Sequence, residues 1–169
     1  MVVLSTDRLG VRFGSRDVLR DITLPPCDGG KVVAIVGPNA AGKSTLFRRI
    51  AALLPGPGSF SIRNVRDPAR AIAYMPQDQS LVRDPQVLLL DEPTSALDMN
   101  RQLEALSCVR GLAREKDMLV LIALHDLNLA LKFADEVAIL SNGTLHAFGP
   151  AANVLTPDNL ATSFRVRAR

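Results

Sequence analysis

The sequence lacks the features expected of a membrane-spanning protein, a secreted protein or a protein with a cysteine metal site. No run of about 18 apolar residues occurs in its 169 residues, so we expect no membrane-spanning helix. The opening residues, MVVLSTDRLG, lack the basic and apolar segments of a secretory signal. The two cysteines, Cys27 and Cys108, do not have the spacing of a metal site. We therefore expect a reducing, cytoplasmic location in which both cysteines are packing residues.

The sequence also lacks a strong excess of charge of either sign. Its 20 basic and 17 acidic side chains leave a net charge of +3, which is too small to indicate nucleic acid as a partner. The closing residues, SFRVRAR, carry alternating arginines, a pattern typical of a solvated tail. There is no internal repeat, and 47% hydrophobic with 22% charged residues is typical of one globular domain.

Short apolar segments alternate with helical ones, which predicts an α/β fold around a mainly parallel sheet. The predicted buried strands cover 31–36, 71–74, 87–90 and 118–124, and the predicted helices cover 43–54, 100–115 and 126–134. Further strands are predicted at 11–13 and 18–24, with a strand pair within 59–70. Asn142-Gly143 predicts a hairpin between 136–140 and 144–148, and a short helix is expected to open at Thr156 or Asp158.

The segment GPNAAGKS, residues 37–44, fits the pattern of a phosphate-binding loop between an apolar strand and a helix. Gly37 and Gly42 leave the backbone N–H groups open to a phosphate chain, because no side chain blocks the turn. The following helix directs the positive end of its dipole at the anion. We expect Lys43 to reach the β- and γ-phosphates and Ser44 to offer an oxygen to Mg²⁺. The segment therefore predicts nucleotide binding.

Two acidic residues follow the apolar strand VLLL, at the sheet edge where ligands of open α/β folds bind. We predict that Asp91 holds the Mg²⁺ shell through water and that Glu92 is the general base that polarises the attacking water. The pair could instead end a strand and cap a turn before Pro93. The phosphate loop elsewhere in the chain favours the catalytic interpretation.

Two further polar residues end predicted strands. His125 follows LVLIAL and is predicted to sense the γ-phosphate or orient water, although a lone histidine is often a packing or surface residue. Gln77 follows AIAYMP, where its amide oxygen could bind Mg²⁺ or position water. The alternative for Gln77 is an ordinary loop glutamine.

Taken in order, these segments resemble the nucleotide-binding subunit of ABC transporters. GPNAAGKST resembles the Walker A loop, YMPQD the Q-loop, LLLDEP the Walker B strand, SALD the D-loop and ALHD the histidine switch. The resemblance implies a P-loop nucleoside triphosphate hydrolase core with a small antiparallel β region, ATPase activity, and ATP and Mg²⁺ as cofactors. It places Phe13 where the family stacks an aromatic side chain on adenine, with a core phenylalanine as the alternative, and Asp98 at a subunit interface.

The site residues that the resemblance implies fall into three groups. The nucleotide-binding residues are Phe13, Gly37, Pro38, Asn39, Ala40, Ala41, Gly42, Lys43, Ser44 and Thr45. The metal ligands are Ser44, Gln77 and Asp91. The catalytic residues are Glu92, His125 and Gln77.

The C-terminal part, HDLNLALKFADEVAILSNGTLHAFGPAANVLTPDNL, looks most like importers of the iron-siderophore, haem or vitamin B12 type. That resemblance implies a second nucleotide-binding subunit and a membrane permease as partners. It also implies a cytoplasmic protein that is peripheral on the inner face of the cell membrane.

The sequence departs from the family between the Q-loop and the Walker B strand. No glycine-rich signature of the LSGGQ type is present, and Gln77 and Asp91 are only 14 positions apart. The helical subdomain that carries the signature is therefore absent. We predict one ATP-binding domain over 1–169, with a half over 1–81, a half over 82–169, and a deletion junction near 81–83. The deletion is natural, engineered, or an omission from the sequence as written.

Loss of the signature predicts a chain that binds ATP but hydrolyses it very slowly, because donors to the γ-phosphate are missing. Loss of the subdomain puts permease docking in doubt. Two alternatives stay open: a nucleotide-binding regulatory module without turnover, and a non-transport ABC ATPase core.

Overall fold

The computed structural model describes residues 1–75 and 84–164, apart from the side chain of Ala69. The strands are β1 Val3–Asp7, β2 Leu9–Phe13, β3 Arg16–Ile22, β4 Cys27–Asp28, β5 Val32–Val36, β6 Ser59–Arg63, β7 Ile72–Met75, β8 Val87–Asp91, β9 Leu119–Ala123, β10 Glu136–Ser141 and β11 Thr144–Pro150. The helices are α1 Lys43–Ile50, α2 Met99–Glu115, α3 Leu127–Phe133, α4 Ala151–Val154 and α5 Pro157–Phe164, with a 3-10 turn at Pro68–Arg70.

The largest sheet has six strands in the order β11-β10-β5-β9-β8-β7. All of its neighbouring pairs are parallel except the β10–β11 hairpin. Two small antiparallel sheets, β4-β1-β6 and β2-β3, accompany it. This architecture confirms the predicted α/β fold with a mainly parallel sheet and a small antiparallel region.

Helices cover both faces of the large sheet, which explains why its central strands are apolar throughout. Successive residues of a strand point to opposite faces, so each strand supplies two hydrophobic clusters. On one face Ile35 and Leu89 pack with the buried residues Leu46, Phe47 and Ile50 of α1. On the other face Ala34, Leu88 and Ile122 pack with α2, α3 and α4 through Leu106, Leu129 and Val154. Because β10, β5, β9, β8 and β7 pair in parallel, their carboxyl ends lie together at one edge of the sheet.

The connection from β7 to β8 is short for a parallel crossover. The two strands are direct neighbours, with Ile72 opposite Val87 and Met75 opposite Leu90. Only 11 residues, 76–86, link them. Parallel strands are normally joined by a dozen or more residues, usually with a helix. Gln77 and the predicted junction at 81–83 lie outside the described residues, as do the arginines of the tail.

The structure corrects three of the predicted local features. Helix α1 ends at Ile50 rather than at residue 54, because Ala52 adopts the left-handed conformation (φ 59°), which ends the helix. The predicted strand pair within 59–70 is wrong. Only β6 forms there, and it pairs with β1 of the N-terminal segment. Cys27 is buried as expected, but Cys108 is exposed on α2.

Candidate functional site

The loop between β5 and α1 folds in a way that only glycine allows at two positions. Gly37 has φ 155°, and a Cβ there would lie 2.2 Å from the carbonyl oxygen of Leu140. Gly42 has φ 105°, and a Cβ there would lie 2.5 Å from Cδ2 of Leu19. The loop is thus pressed against β10 and β3, and its backbone forms the floor of a cleft.

Helix α1 begins directly after this loop with its N-terminus uncapped. Gly42 occupies the N-cap position and, having no side chain, makes no side-chain capping hydrogen bond to the first turn. The first turn of α1 itself carries no acidic side chain, while Arg48 and Arg49 lie in the last turn. The N–H groups and the positive end of the helix dipole therefore face the cleft, which favours an anion there.

Lys43 brings a buried cation to the centre of the loop. Its side chain is only 5% exposed, and its Nζ donates to the carbonyl oxygens of Gly37 at 3.0 Å and Pro38 at 3.3 Å. Burial lowers the pKa of the Lys43 ammonium, while the carboxylates of Glu92 and Asp91 act in the opposite direction. A phosphate chain in the loop would meet this ammonium group and the helix N-terminus together.

Asp91 lies at the carboxyl end of β8 and is 8% exposed. Its Oδ1 accepts a hydrogen bond from Oγ of Ser44 at 3.0 Å, and its Oδ2 accepts one from the hydroxyl of Tyr74 at 3.1 Å. A hydroxyl and a carboxylate held together form the hard oxygen set that Mg²⁺ uses alongside phosphate oxygens and water. No cluster of three or more His, Cys, Asp or Glu side chains occurs within 1–75 and 84–164, and a site of this type does not need one. The donors present therefore fit Mg²⁺.

Glu92 and His125 form a contact beside the loop. Oε1 of Glu92 lies 2.6 Å from Nε2 of His125, which follows β9. Because an ionised carboxylate only accepts hydrogen bonds, Nε2 carries the proton that joins the pair. Glu92 also has a left-handed backbone (φ 53°), a conformation that is unusual for a non-glycine residue and is found often at functional sites. The strand ends thus bring a carboxylate and an imidazole to the same edge as Lys43.

A cleft of about 300 Å³ lies over the loop and reaches Glu92. The loop residues 39–45 line one side, and Phe13, Arg16 and Val18 of the β2–β3 hairpin line the other. Phe13 is 52% exposed, so its ring is available to a ligand rather than packed in the core. Glu92 also lines a second cleft of about 240 Å³, together with Thr94, Gln102 and His125 among others.

The structure brings together most of the predicted site residues, namely Phe13, the loop 37–45, Asp91, Glu92 and His125. Asp98 lines neither of these two clefts and is the exposed capping residue of α2, where it accepts a hydrogen bond from the backbone N–H of Arg101 at 3.0 Å. Its role at a subunit interface stays a prediction. Sequence reasoning missed Arg16 and Val18, although their place on the hairpin strand that faces Phe13 could have indicated them. It also missed Tyr74, for which no sequence pattern gave a reason.

The sequence profile of the family described as "ABC transporter" matches residues 26–84. A zinc import ATP-binding protein, ZnuC of Yersinia pestis bv. Antiqua (strain Antiqua), is 30% identical to the chain over 217 residues, covering 95% of this chain and 84% of the relative. The chain belongs to the ABC transporter ATP-binding family. The resemblance stated from the motifs is confirmed.

Two other relatives in the ABC transporter ATP-binding family show how much of the chain is shared. A cobalamin import ATP-binding protein, BtuD of Halobacterium salinarum (strain ATCC 29341 / DSM 671 / R1), is 28% identical over 98% of this chain. The chain spans 60% of that relative's length. A hemin import ATP-binding protein, HmuV of Burkholderia lata, is 43% identical over 97 residues, which are 57% of this chain and 36% of the relative.

The fold is also that of solved ABC proteins. The structure of cbiO1 from Clostridium perfringens, described as part of the ABC transporter complex cbiONQ, superposes with a TM-score of 0.78 at 19% identity, covering 97% of this chain and 94% of that one. At this identity the match supports the fold alone. In the part of the chain that the structure describes, no helix is long and apolar enough to cross a membrane.

Proposed function

We propose that this chain is the ATP-binding subunit of an ABC importer and couples binding of Mg²⁺–ATP to uptake of a substrate. The observation that carries the proposal is the arrangement at the start of α1. The buried ammonium of Lys43 and the Ser44–Asp91 pair lie at an uncapped helix N-terminus, and the Glu92–His125 pair lies beside them.

The proposed roles follow from what each group can donate or accept. Lys43 and the N–H groups of the loop hold the β- and γ-phosphates. Ser44 and Asp91 hold Mg²⁺, which when bound neutralises charge on the phosphate oxygens. Glu92 accepts a proton from the attacking water, and His125 orients Glu92 through its Nε2–H. Gln77 is proposed as a further Mg²⁺ or water ligand on its sequence motif alone.

Phe13 is proposed to stack on the base of the nucleotide, because its exposed ring lines the cleft over the phosphate loop. The substrate is proposed to be a metal-containing compound of the siderophore, haem or cobalamin type. The relatives are named as cobalamin, hemin and zinc import proteins, and these names support a metal-containing substrate. The proposed partners are a second copy of the subunit and a membrane permease. The proposed location is the inner face of the cell membrane.

We further propose that the chain hydrolyses ATP weakly. It lacks a glycine-rich signature, and only 11 residues lie between β7 and β8, too few for a helical subdomain. The same observation favours the second candidate, a nucleotide-binding module that regulates or tethers without turnover. A non-transport ABC ATPase is a third candidate. Stimulation of hydrolysis by a permease supports the importer, and stimulation by DNA supports the third candidate.

Thermal melts with and without Mg²⁺–ATP test nucleotide binding. ATP at about 100 times its dissociation constant is expected to stabilise the fold by about 2.7 kcal/mol. Lys43→Ala is expected to lose this stabilisation, because the phosphates lose their buried cation. Lys132→Ala removes an ammonium group from α3, outside the cleft, and serves as the matched control. Equal melting temperatures with and without saturating nucleotide would contradict the proposal, as would Lys43→Ala binding ATP as tightly as the unchanged chain.

A further inference from the structure

Asp91 is held at both of its carboxylate oxygens, and one of the two holding groups has no role in the proposed function. Ser44 of α1 donates to Oδ1 at 3.0 Å. Tyr74 of β7 donates to Oδ2 at 3.1 Å. Ser44 is a proposed Mg²⁺ ligand itself, whereas Tyr74 approaches from the opposite oxygen and from a different element. Tyr74 is also the single tyrosine of the chain.

The direction of the hydrogen bonds through Tyr74 follows from the chemistry of its neighbours. Arg48 lies one helical turn after Ser44 on α1, and its guanidinium is the cationic neighbour of Tyr74. A guanidinium only donates hydrogen bonds, and an ionised carboxylate only accepts them. The hydroxyl of Tyr74 therefore donates its single hydrogen to Oδ2 of Asp91.

The Tyr74 ring is held in place by packing. It lies opposite Leu89 in the parallel register between β7 and β8 and is half-buried against the hydrophobic cluster under α1. A tyrosine hydroxyl is protonated at neutral pH, so the group is a donor to Oδ2 of Asp91 at 3.1 Å. Because the ring is fixed, its hydroxyl defines the position of Oδ2 of Asp91.

We propose that Tyr74 is a positioning residue for the Mg²⁺ ligand Asp91. The terminal torsion of an aspartate is soft and broadly distributed, so a carboxylate held at one oxygen can rotate. The second bond, at Oδ2, fixes the plane of the carboxylate and keeps Oδ1 towards Ser44. Groups that hold a metal ligand in this way affect metal affinity without contacting the metal. This inference rests on the proposed Mg²⁺–ATP binding.

Tyr74→Phe removes the hydroxyl and leaves the ring, so the packing of β7 is kept. The midpoint of a Mg²⁺ titration, followed by thermal melts at saturating ATP, is expected to rise by about tenfold. The affinity for ATP in EDTA is expected to change by less than about twofold, because the loop and Lys43 are untouched. Ser107→Ala is the matched control: it removes a hydroxyl that donates to the Leu103 carbonyl on α2 at 2.7 Å, and it is expected to change neither value.

An unchanged Mg²⁺ midpoint in Tyr74→Phe would overturn the inference. An equal loss of ATP affinity in EDTA would do the same, because the effect would then not belong to the metal. If the unchanged chain binds no ATP at all, the proposed function fails. The positioning role of Tyr74 is then tested by measuring melting temperatures instead. Tyr74→Phe is then expected to lower the melting temperature less in an Asp91→Ala background than in the unchanged chain, and equal losses in both backgrounds would overturn the inference.

Discussion

At the scale of single residues, the two thiols of the chain differ in environment although neither belongs to a motif. Cys27 is buried in the core, and burial raises the pKa of its thiol to about 12, whereas Cys108 is exposed on α2. Only the thiolate reacts, and at pH 8 a pKa of about 12 leaves about one Cys27 thiol in ten thousand ionised.

We therefore expect one thiol to react with a maleimide at pH 8 in the folded chain and the second only after denaturation. Cys108→Ser should remove the fast reaction and leave the slow one. Mass spectrometry of the labelled chain gives the count. Rapid labelling of both thiols in the folded chain would show that the segment around Cys27 opens far more readily than its burial implies.

Phe13 offers a direct probe of the proposed base site, because the chain has no tryptophan. Phe13→Trp would place a fluorophore in the cleft, and we expect ATP to quench its emission by stacking. Phe13→Ala is expected to weaken ATP binding about tenfold, within the usual range for one base–aromatic stack. Leu131→Trp is the control, because Leu131 is exposed on α3 and does not line the cleft. Equal quenching in both tryptophan variants would argue against stacking at Phe13.

At the scale of elements, the loop before α1 and the helix α2 each contain a glycine, and only the glycine in the loop has no room for a side chain. A Cβ at Gly37 would lie 2.2 Å from a backbone oxygen, whereas a Cβ at Gly111 in α2 would meet nothing within 4 Å. Gly37→Ala is expected to lower the free energy of unfolding by roughly 2–4 kcal/mol, because the loop must shift off β10. Gly111→Ala is expected to raise it by about 0.5–1 kcal/mol, since alanine favours a helix interior. Urea unfolding measures both, and a stable Gly37→Ala would show that the loop can move without cost.

The elements also show what a single sequence can predict and what it cannot. The strands of the large sheet and the motifs at their ends were predictable, because buried parallel strands are apolar runs and phosphate loops need glycine. The partner of β6 was not predictable, because β1 is 52 residues away between Asp7 and Ser59 and no local pattern joins them. The early end of α1 at Ile50 was not predictable either, because nothing in the sequence indicates that Ala52 adopts a left-handed backbone conformation. Tyr74 was missed because its contact with Asp91 depends on β7 and β8 being neighbours in the sheet, and a single sequence does not give the strand order.

At the scale of the whole molecule, the neighbouring positions of β7 and β8 bear on the predicted absence of a helical subdomain. The chain leaves the sheet after Met75 and returns at Val87, directly beside the strand it left. A lobe inserted between two adjacent strand ends adds a self-contained unit and need not disturb the sheet order. The sheet order is therefore compatible with either a short connection or a long one between β7 and β8.

This leads to a prediction about turnover. The chain alone is expected to hydrolyse ATP far more slowly than about 1 per second, and Glu92→Gln should change that rate little, because a base has little effect without preorganised donors to the γ-phosphate. Inserting the corresponding segment of the zinc import relative between Leu81 and Val82 of this chain is expected to raise the rate of hydrolysis. Glu92→Gln should then abolish hydrolysis. An insert whose signature glycines are replaced by alanine is the control. Turnover of the short chain at ordinary enzyme rates, lost in Glu92→Gln, would show that this site needs no signature. Intact-mass measurement accompanies the assay, because a mass near 18.2 kDa excludes a hidden lobe in the protein assayed.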